Sequence, residues 1–493
     1  MSVLAVDIGA GSGRAVLAEL KGDLLELVEI HRFTNDPVRV SGRFQWDILR
    51  LFHDIKLAIG KAVETGAKLE GIAIDTWAVD FGLLGKDGEL LRNPYHYRDH
   101  QTDGVMKKVH EDWITQEKLF EKTGIQFLTF NTIYQLMAMK EKNGWLLEKA
   151  ESLLMIPDLL RYFLTGIKKS EFTNATTTQL FNPNLMKWDS ELLDTLGLPE
   201  KIFQEVVGPG TIIGHLKEDL CEELEISPIP VIAVGEHDTA SAVAGVPALD
   251  ESFAYLSCGT WSLMGTEVKE PVINKEALEL NFTNEGGVGG RFRLLKNIMG
   301  LWILEECRRI WGHHESTNYE RLMEEAKEVP AFRSFIDPDY PLFLNPSNMP
   351  QQIQEYCKNT NQPIPESRGE IVRCIIESLA MKYRYVFERT EKLSEKEFFG
   401  LHMVGGGIKN KMLCQFTSNA LGKPVWAGPT EASAIGNILV QLMALGRITG
   451  IDEARKIALK ATKMAYYFPE SQESWKTAYE KFCHYIGESQ PTI

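Results

Sequence analysis

"VLAVDIGAGSGRAVLAEL" spans residues 3–20, and its reading decides the fold. It places Gly9, Gly11 and Gly13 between an acid, Asp7, and a base, Arg14. A P-loop requires G-x-x-x-x-G-K-[ST] at the opening of a helix. Here Arg14 follows the glycines, and no Lys-Ser/Thr pair does. A dinucleotide fingerprint requires G-x-G-x-x-G between a strand and a helix. Here the spacing is G-x-G-x-G, and "RAVLAEL" alternates as a strand does. The segment therefore reads as strand, tight turn, strand. Its glycines permit a sharp turn and let backbone N–H groups approach an anion. Asp7 closes the first strand, where it can hold a metal directly or through water. Two readings stand at this point: a turn for nucleotide phosphates, or an ordinary hairpin with an incidental acid.

Outward from the hairpin, "LLELVEIHRF" reads as a third strand. "WDILRLFHDIKLAIGKAVETG" reads as a helix with Ile48, Leu51, Phe52, Ile55, Ala58, Ile59 and Ala62 on one face. "EGIAIDTWAVDFGLL" reads as one strand with a polar interruption, and residues 105–200 as mainly helical. "IPVIAVGEHDTASAVAGV" reads as strand, turn, helix. Near residue 250, "ESFAYLSCGTWSLMGTEV" repeats the strand–Gly turn–strand layout of the opening. "LKNIMGLWILEECRRIW" and "EIVRCIIESLAMKYRYVFERTEKL" read as helices, and "GLHMVGGGIKNKMLCQFTSNALG" as strand, Gly turn, helix. "PTEASAIGNILVQLMALG" is a helix ended by Gly446. The expected division is an α/β domain over residues 1–246 and another over 247–493, hinged at "GVPALDES".

The totals agree with an enzyme of two domains. The 493 residues exceed one typical core. Lys+Arg of 53 against Asp+Glu of 68 gives a net charge of −15, which argues against nucleic acid or an anionic membrane as partner. The chain has no run near the ~18 apolar residues of a membrane span, and it enters a strand without a signal-like leader. A cytoplasmic protein is expected. The seven cysteines form no C-x-x-C, which suits reduced thiols; a Cys357–Cys374 bridge stays open.

Asp238, in "VGEHDTASAV", lies where a strand gives way to a helix, the edge at which α/β sheets bind ligands. It reads either as a general base for a substrate hydroxyl or as a helix N-cap. His237 reads as a hydroxyl-orienting group or a structural histidine. Three Gly turns can serve one nucleotide: Gly9–Arg14, Gly259-Thr260 and Gly405-Gly406-Gly407. Asp75, Asp80, Arg98 and Asp99 read as sugar-hydroxyl contacts or as buried salt bridges. His96 and His100 have i,i+4 spacing, but Pro94 opposes a helix and no cysteine stands near, so a zinc site is not expected.

"VDIGAGSGR", "IDTWAVDF", "YRDHQTDG", "TNATTTQL", "HDTASAV", "YLSCGTWSLMG", "NEGG", "LKNIMGLW", "VGGG" and "GPTEASAIGN" occur in this order. Together they resemble the FGGY family of carbohydrate kinases over residues 3–465. "TNATTTQL", "HDTASAV" and "LKNIMGLW" point to the branch that phosphorylates L-rhamnulose. The resemblance implies an actin-like ATPase fold, two RNase H-like domains around a catalytic cleft. It implies transfer of the ATP γ-phosphate to the 1-hydroxyl of L-rhamnulose with Mg²⁺. Carried over by motif, Asp238 would be the base, and Ala78, His237, Thr239 and Asn297 would line the sugar site. Ala10, Gly11, Ser12, Gly13, Arg14 and Thr260 would meet ATP phosphates. Gly406 would meet adenosine, Glu305 would lie near the nucleotide, and Asp7 would anchor Mg²⁺ through water. Two residues depart from the pattern: Ala78 replaces a Gly, and Glu305 replaces a Gln. Small-molecule partners are implied, and the oligomeric state is left open, a monomer included. The rival readings are another FGGY kinase acting on fuculose, xylulose, ribulose or glycerol, a non-kinase actin-like ATPase, and a sugar-responsive nucleotide-binding protein that forms no sugar phosphate.

Overall fold

The opening strand Ser2–Ile8 is buried along its whole length, as a mainly apolar run inside a sheet covered on both faces requires. In the computed structural model, which describes residues 2–312 and 317–488, it lies inside a six-stranded sheet. The order is Thr211–His215, Pro230–Ala233, Leu69–Thr76, Ser2–Ile8, Ser12–Lys21, Leu24–Thr34. Ser2–Ile8 pairs antiparallel with Ser12–Lys21 and parallel with Leu69–Thr76. The hairpin and the third strand thus form as the alternation of residues 3–34 predicts.

Helix Ile48–Glu64 buries Ile48, Leu51, Ile55, Ala58, Ile59 and Ala62, and Asp47 caps it by accepting from Arg50 N. Phe52 is only half-buried, set edge-on to Phe163 with centroids 5.3 Å apart. Val3, Ala5, Val16 and Ala18 of the sheet pack on Ile435, Ile438, Leu439 and Leu442 of helix Ala432–Ala444 and on Ile457 of helix Ile451–Ala461. Helix Asp238–Ala244 lies so close to Ala432–Ala444 that Gly436 has no room for a Cβ against Ser241 O. These contacts explain a departure from a simple halving of the chain. Two compact units divide at Leu249/Asp250, inside the expected hinge, but Glu267–Leu294 and Glu431–Thr462 return to the first unit.

The second unit opens on its own hairpin, Ala254–Cys258 antiparallel to Trp261–Val268. Ala254–Cys258 runs parallel to Leu401–Val404, which runs parallel to Val425–Ala427, and Ala465–Tyr467 closes that edge antiparallel. Helix Arg368–Ser394 starts from a capping box of Ser367 and Glu370. Its Ala380 and Met381 pack with Ala420, Trp475, Ala478 and Phe482.

Two readings of local structure are corrected. The segment over 70–84 is two strands rather than one. Leu69–Thr76 belongs to the six-stranded sheet, whereas Phe81–Leu84 pairs antiparallel with Ser152–Met155. The chain turns between them at Val79, φ 67°, where Asp80 N donates to Ala78 O at 2.9 Å. "LKNIM" is the end of strand Phe292–Met299, and the helix begins only at Trp302. A short apolar run does not by itself separate strand from helix. Gly300 decides it: its N–H donates to Thr260 O at 3.1 Å, and a Cβ there would lie 2.6 Å from Ser262 Oγ. The cysteines are free thiols, Cys357 and Cys374 among them. Among the described residues no helix is long and apolar enough to cross a membrane.

Candidate active site

Adjacent strand ends of the first unit bring acids together. Strand register sets Asp7 beside Asp75 and opposite Arg14. Residue His237 bridges to Thr76, and Thr76 N donates to Glu236 O at 2.9 Å, which aligns the 236–238 loop with the same edge. Arg14 Nε lies 3.2 Å from Asp7 Oδ2, and Arg14 also pairs with Glu431. Asp75 Oδ2 accepts from Asn437 Nδ2 at 2.6 Å, and Gln441 holds Asn437 Oδ1 at 2.8 Å. Burial pushes Asp7 up to about 6; Arg14 opposes this and Asp238 adds to it. Burial, then Asp7, holds Asp75 well above the usual carboxylate range.

Asp238 is the first residue of its helix, with His237 at the N-cap position, so the N-cap reading of Asp238 is set aside. Its Oδ1 accepts from Thr239 Oγ1 at 3.1 Å and lies 3.5 Å from His237 Nε2. The side chain keeps 28% exposure. Burial raises its pKa, while His237 and Thr239 pull it down. Asp7, its ionisation opposed by burial and by Asp238, presents oxygen donors that suit a hard divalent cation, whose charge offsets the cost of ionising it. Among the described residues no set of three or more ligand-type side chains forms a ready-made metal cage. Mg²⁺ does not require one, because it keeps waters and phosphate oxygens in its shell. The donor set at Asp7 therefore fits Mg²⁺.

His237 is held from every side. Arg293 Nη2 lies 3.1 Å from its Nδ1, Glu285 Oε2 lies 3.2 Å from the same atom, and Arg293 Nη2 is 3.1 Å from Glu285 Oε2. Its backbone N–H donates to Thr173 Oγ1 at 3.1 Å, and Thr173 Oγ1 donates to Glu171 Oε2 at 2.6 Å. Buried Arg161 then ties Glu236 Oε1 at 2.9 Å to Asp158 Oδ1 at 2.6 Å. Residue-by-residue reading of the sequence assigned no role to Glu171, Thr173, Glu285, Arg293, Glu431 or Asn437. The signal for Thr173, Glu285, Glu431 and Asn437 lies in "TNATTTQL", "NEGG" and "GPTEASAIGN", polar residues set in otherwise buried stretches, whereas Glu171 and Arg293 lie outside these motifs.

Beside this loop, Ala78 is half-buried at the head of the tight turn. The positive φ of Val79 is strained for a β-branched residue. Asp80 holds the turn: Oδ2 accepts from Trp46 Nε1 (2.6 Å), Trp77 Nε1 (3.0 Å) and Tyr97 N (3.1 Å), and Oδ1 from Gln135 Nε2 (2.8 Å). Asp99 is spent on Phe44 N, Gln101 N and Arg43. For Asp80 and Asp99 the structural reading prevails over the sugar-contact reading. His96 is stacked between Phe44 and Trp46, while His100 pairs with Asp103, so the two do not form a metal pair.

The Gly turns sort by packing. Gly9 N donates to Ser12 O at 2.9 Å and closes the first turn, which carries Ala10 and exposes Gly11 and Ser12. A Cβ on Gly13 would collide with the Phe33 ring, whereas at Gly11 it would meet nothing within 4 Å. In the second unit, Gly405 has φ 87° and a Cβ there would lie 2.9 Å from Cys258 O. Gly407 is blocked by Cys258 as well, but Gly406 is exposed and open. Thr260 is exposed, and its carbonyl accepts from Gly300 N and Trp302 N. Asn297 is half-buried on strand Phe292–Met299. Glu305 accepts from Arg308 Nη1 at 2.7 Å and from Tyr319, so its charge is already matched.

Residues 2–245 match the N-terminal domain, and residues 254–445 the C-terminal domain, of the FGGY family of carbohydrate kinases. A rhamnulokinase of Bacteroides thetaiotaomicron is 48% identical over 478 residues, 97% of this chain and 98% of that protein. One from Halalkalibacterium halodurans is 44% identical over 95% of this chain and 99% of that protein. Among solved structures, a ligand-bound xylulose kinase from Lactobacillus acidophilus shares the fold with TM-score 0.82 at 18% identity, covering 99% of this chain and 98% of that one. Plasmodium falciparum glycerol kinase with ADP does so with TM-score 0.78 at 14% identity, over 100% and 99%. The mixed α/β, two-domain fold is that of these kinases, in keeping with the actin-like ATPase architecture. With both family domains matched and close relatives spanning nearly the full length, the chain belongs to the FGGY family of carbohydrate kinases.

Proposed function

We propose that this chain is an ATP-dependent rhamnulose kinase, forming L-rhamnulose 1-phosphate and ADP. The relatives named rhamnulokinase, 42–48% identical over nearly the full length, support the substrate. The observation that carries the chemistry is Asp238, a partly exposed carboxylate at the head of a helix with Oδ1 already engaged by its neighbours. That assigns Oδ2 to the incoming hydroxyl.

The 1-hydroxyl loses its proton to Asp238 as its oxygen bonds the γ-phosphorus, and the bond to the β,γ-bridging oxygen breaks to release ADP. The proton then passes to solvent. Phosphoryl transfer asks chiefly for positioning and charge neutralisation. Arg14 and the N–H groups of the Ala10–Gly13 turn offset charge on the phosphates. Asp7 would hold Mg²⁺ through water, where the ion supplies further charge screening. His237, Thr239, Ala78 and Asn297 line the sugar, and the Ala78 methyl narrows that pocket. Thr260, Gly406 and Glu305 are assigned to the nucleotide. A cytoplasmic location and small-molecule partners alone belong to the same reading.

The test is ADP release, with ATP and Mg²⁺, across L-rhamnulose, L-fuculose, D-xylulose, D-ribulose and glycerol, the phosphorylated carbon being located by NMR. Preference for L-rhamnulose with phosphate on C1 is expected. Preference for another acceptor overturns the substrate, and equal ATP turnover without any sugar overturns the kinase reading.

A further inference from the structure

We propose that Arg293 is a positioning residue that fixes the tautomer of His237 and, through it, keeps Asp238 able to accept a proton. The inference rests on Asp238 as the base. A guanidinium has donors only. Arg293 Nη2 lies 3.1 Å from His237 Nδ1, so Nδ1 presents its lone pair there. The ring proton then sits on Nε2, the nitrogen 3.5 Å from Asp238 Oδ1. Arg293 Nη2 also forms an ion pair with Glu285 Oε2 at 3.1 Å, so the guanidinium charge stands between that carboxylate and His237 Nδ1. Arg293 is 0% exposed, and its Nε donates to Gly286 O at 2.8 Å, so the guanidinium is anchored before any ligand arrives.

The opposite tautomer has a clear cost. With the proton on Nδ1, donated to Glu285 Oε2 at 3.2 Å, the lone pair of Nε2 would face Asp238 Oδ1. Two donors, Arg293 Nη2 and His237 Nδ1, would then oppose each other at 3.1 Å, and two acceptors would meet at Nε2, where Asp238 would hold its own proton to relieve the clash. A protonated Asp238 is no base. Arg293 thus selects the ring state that leaves Asp238 ionised, and Glu285 steers the guanidinium rather than the ring.

The tautomer is read directly from the ¹⁵N spectrum of histidine-labelled protein, with the His237 signals identified by their loss in His237→Gln. The expected spectrum has His237 protonated at Nε2 and bare at Nδ1. Arg293→Met loses that pattern and lowers kcat by at least about 10²-fold, as expected for a ring in the wrong tautomer, with the KM for ATP unchanged. Arg293→Lys, also a pure donor, restores the pattern and much of kcat. Glu285→Gln keeps the Nε2–H tautomer. A native His237 protonated at Nδ1, or a tautomer that switches in Glu285→Gln but not in Arg293→Lys, overturns the proposal even if Arg293→Met does not fold. The base reading fails separately, through undiminished turnover in Asp238→Asn, whatever the spectrum shows.

Discussion

The two hairpins, one opening each unit, share a plan and differ in charge. In both, a buried strand turns at glycine into an antiparallel partner and runs parallel to a third strand. In the first, the residue before the last of the opening strand is Asp7, beside Asp75 and opposite Arg14. In the second, that place holds Ser257, beside Val404 and opposite Leu263. Cys258 and Tyr383 follow, with Ser262 Oγ 2.7 Å from Tyr383 OH. Burial pushes Cys258 up to about 11 and Tyr383 well above its usual range, so both stay neutral. One skeleton therefore carries an acid cluster where proton and phosphate chemistry is proposed, and in the second unit a neutral, hydrogen-bonded turn without an acid. The backbone plan is common to both, and the side chains at the strand ends set the chemistry.

The largest expected effect tests the acid cluster beside the charged hairpin. Asp238→Asn should lower kcat by about 10²–10⁴-fold with little change in the KM for ATP. Cys258→Ser, in the neutral counterpart, should leave kcat within about threefold, since no general base is lost there. Turnover of Asp238→Asn near the native rate would erase the distinction. Next, Asp80→Ala removes the acceptor of Trp46 Nε1, Trp77 Nε1 and Tyr97 N and one acceptor of Gln135 Nε2, and should cost about 3 kcal/mol of stability in urea unfolding. Third, the glycines should split alike in both units. Gly13→Ala and Gly407→Ala should cost about 1–3 kcal/mol because the new methyl overpacks a filled core. Gly11→Ala and Gly406→Ala should stay within about 0.5 kcal/mol and raise the KM for ATP instead, since they meet no protein atom.

The smallest effect is a pH signature. Asp7 is raised from 3.8 to about 6, so the folded protein binds that proton more tightly than the unfolded chain does. Its contribution to stability is full below about pH 4 and is lost as pH rises through about 6. Without Mg²⁺, Asp7→Asn should flatten the fall in melting temperature between pH 4 and pH 7. Mg²⁺ should raise the native melting temperature more at pH 7.5 than at pH 4.5. Equal shifts at both values would detach the ion from Asp7.

The strand–turn–strand openings, the helix face of Ile48–Glu64 and the place of Asp238 at a strand end were legible because each depends on spacing within about ten residues. The fate of the carboxylates was not. Asp75, Asp80, Asp99 and Asp238 look alike in sequence. Asp80 is taken up by Trp46 and Gln135, and Asp75 by Asn437, 362 positions away. The same holds for "LKNIM", whose apolar run suits either helix or strand until Gly300 must pass close to Ser262.

By itself the sequence determined the α/β class, the two Gly-turn hairpins and a family membership carried by ten ordered motifs, since local period and residue order need no partner. Only the tertiary structure decided which acids stay available. It alone returned Glu267–Leu294 and Glu431–Thr462 to the first unit, and it alone set Arg293 and Glu285 on His237. The reason is physical: a side chain's charge state and freedom depend on the groups folding brings within about 4 Å, and those groups come from anywhere along the chain.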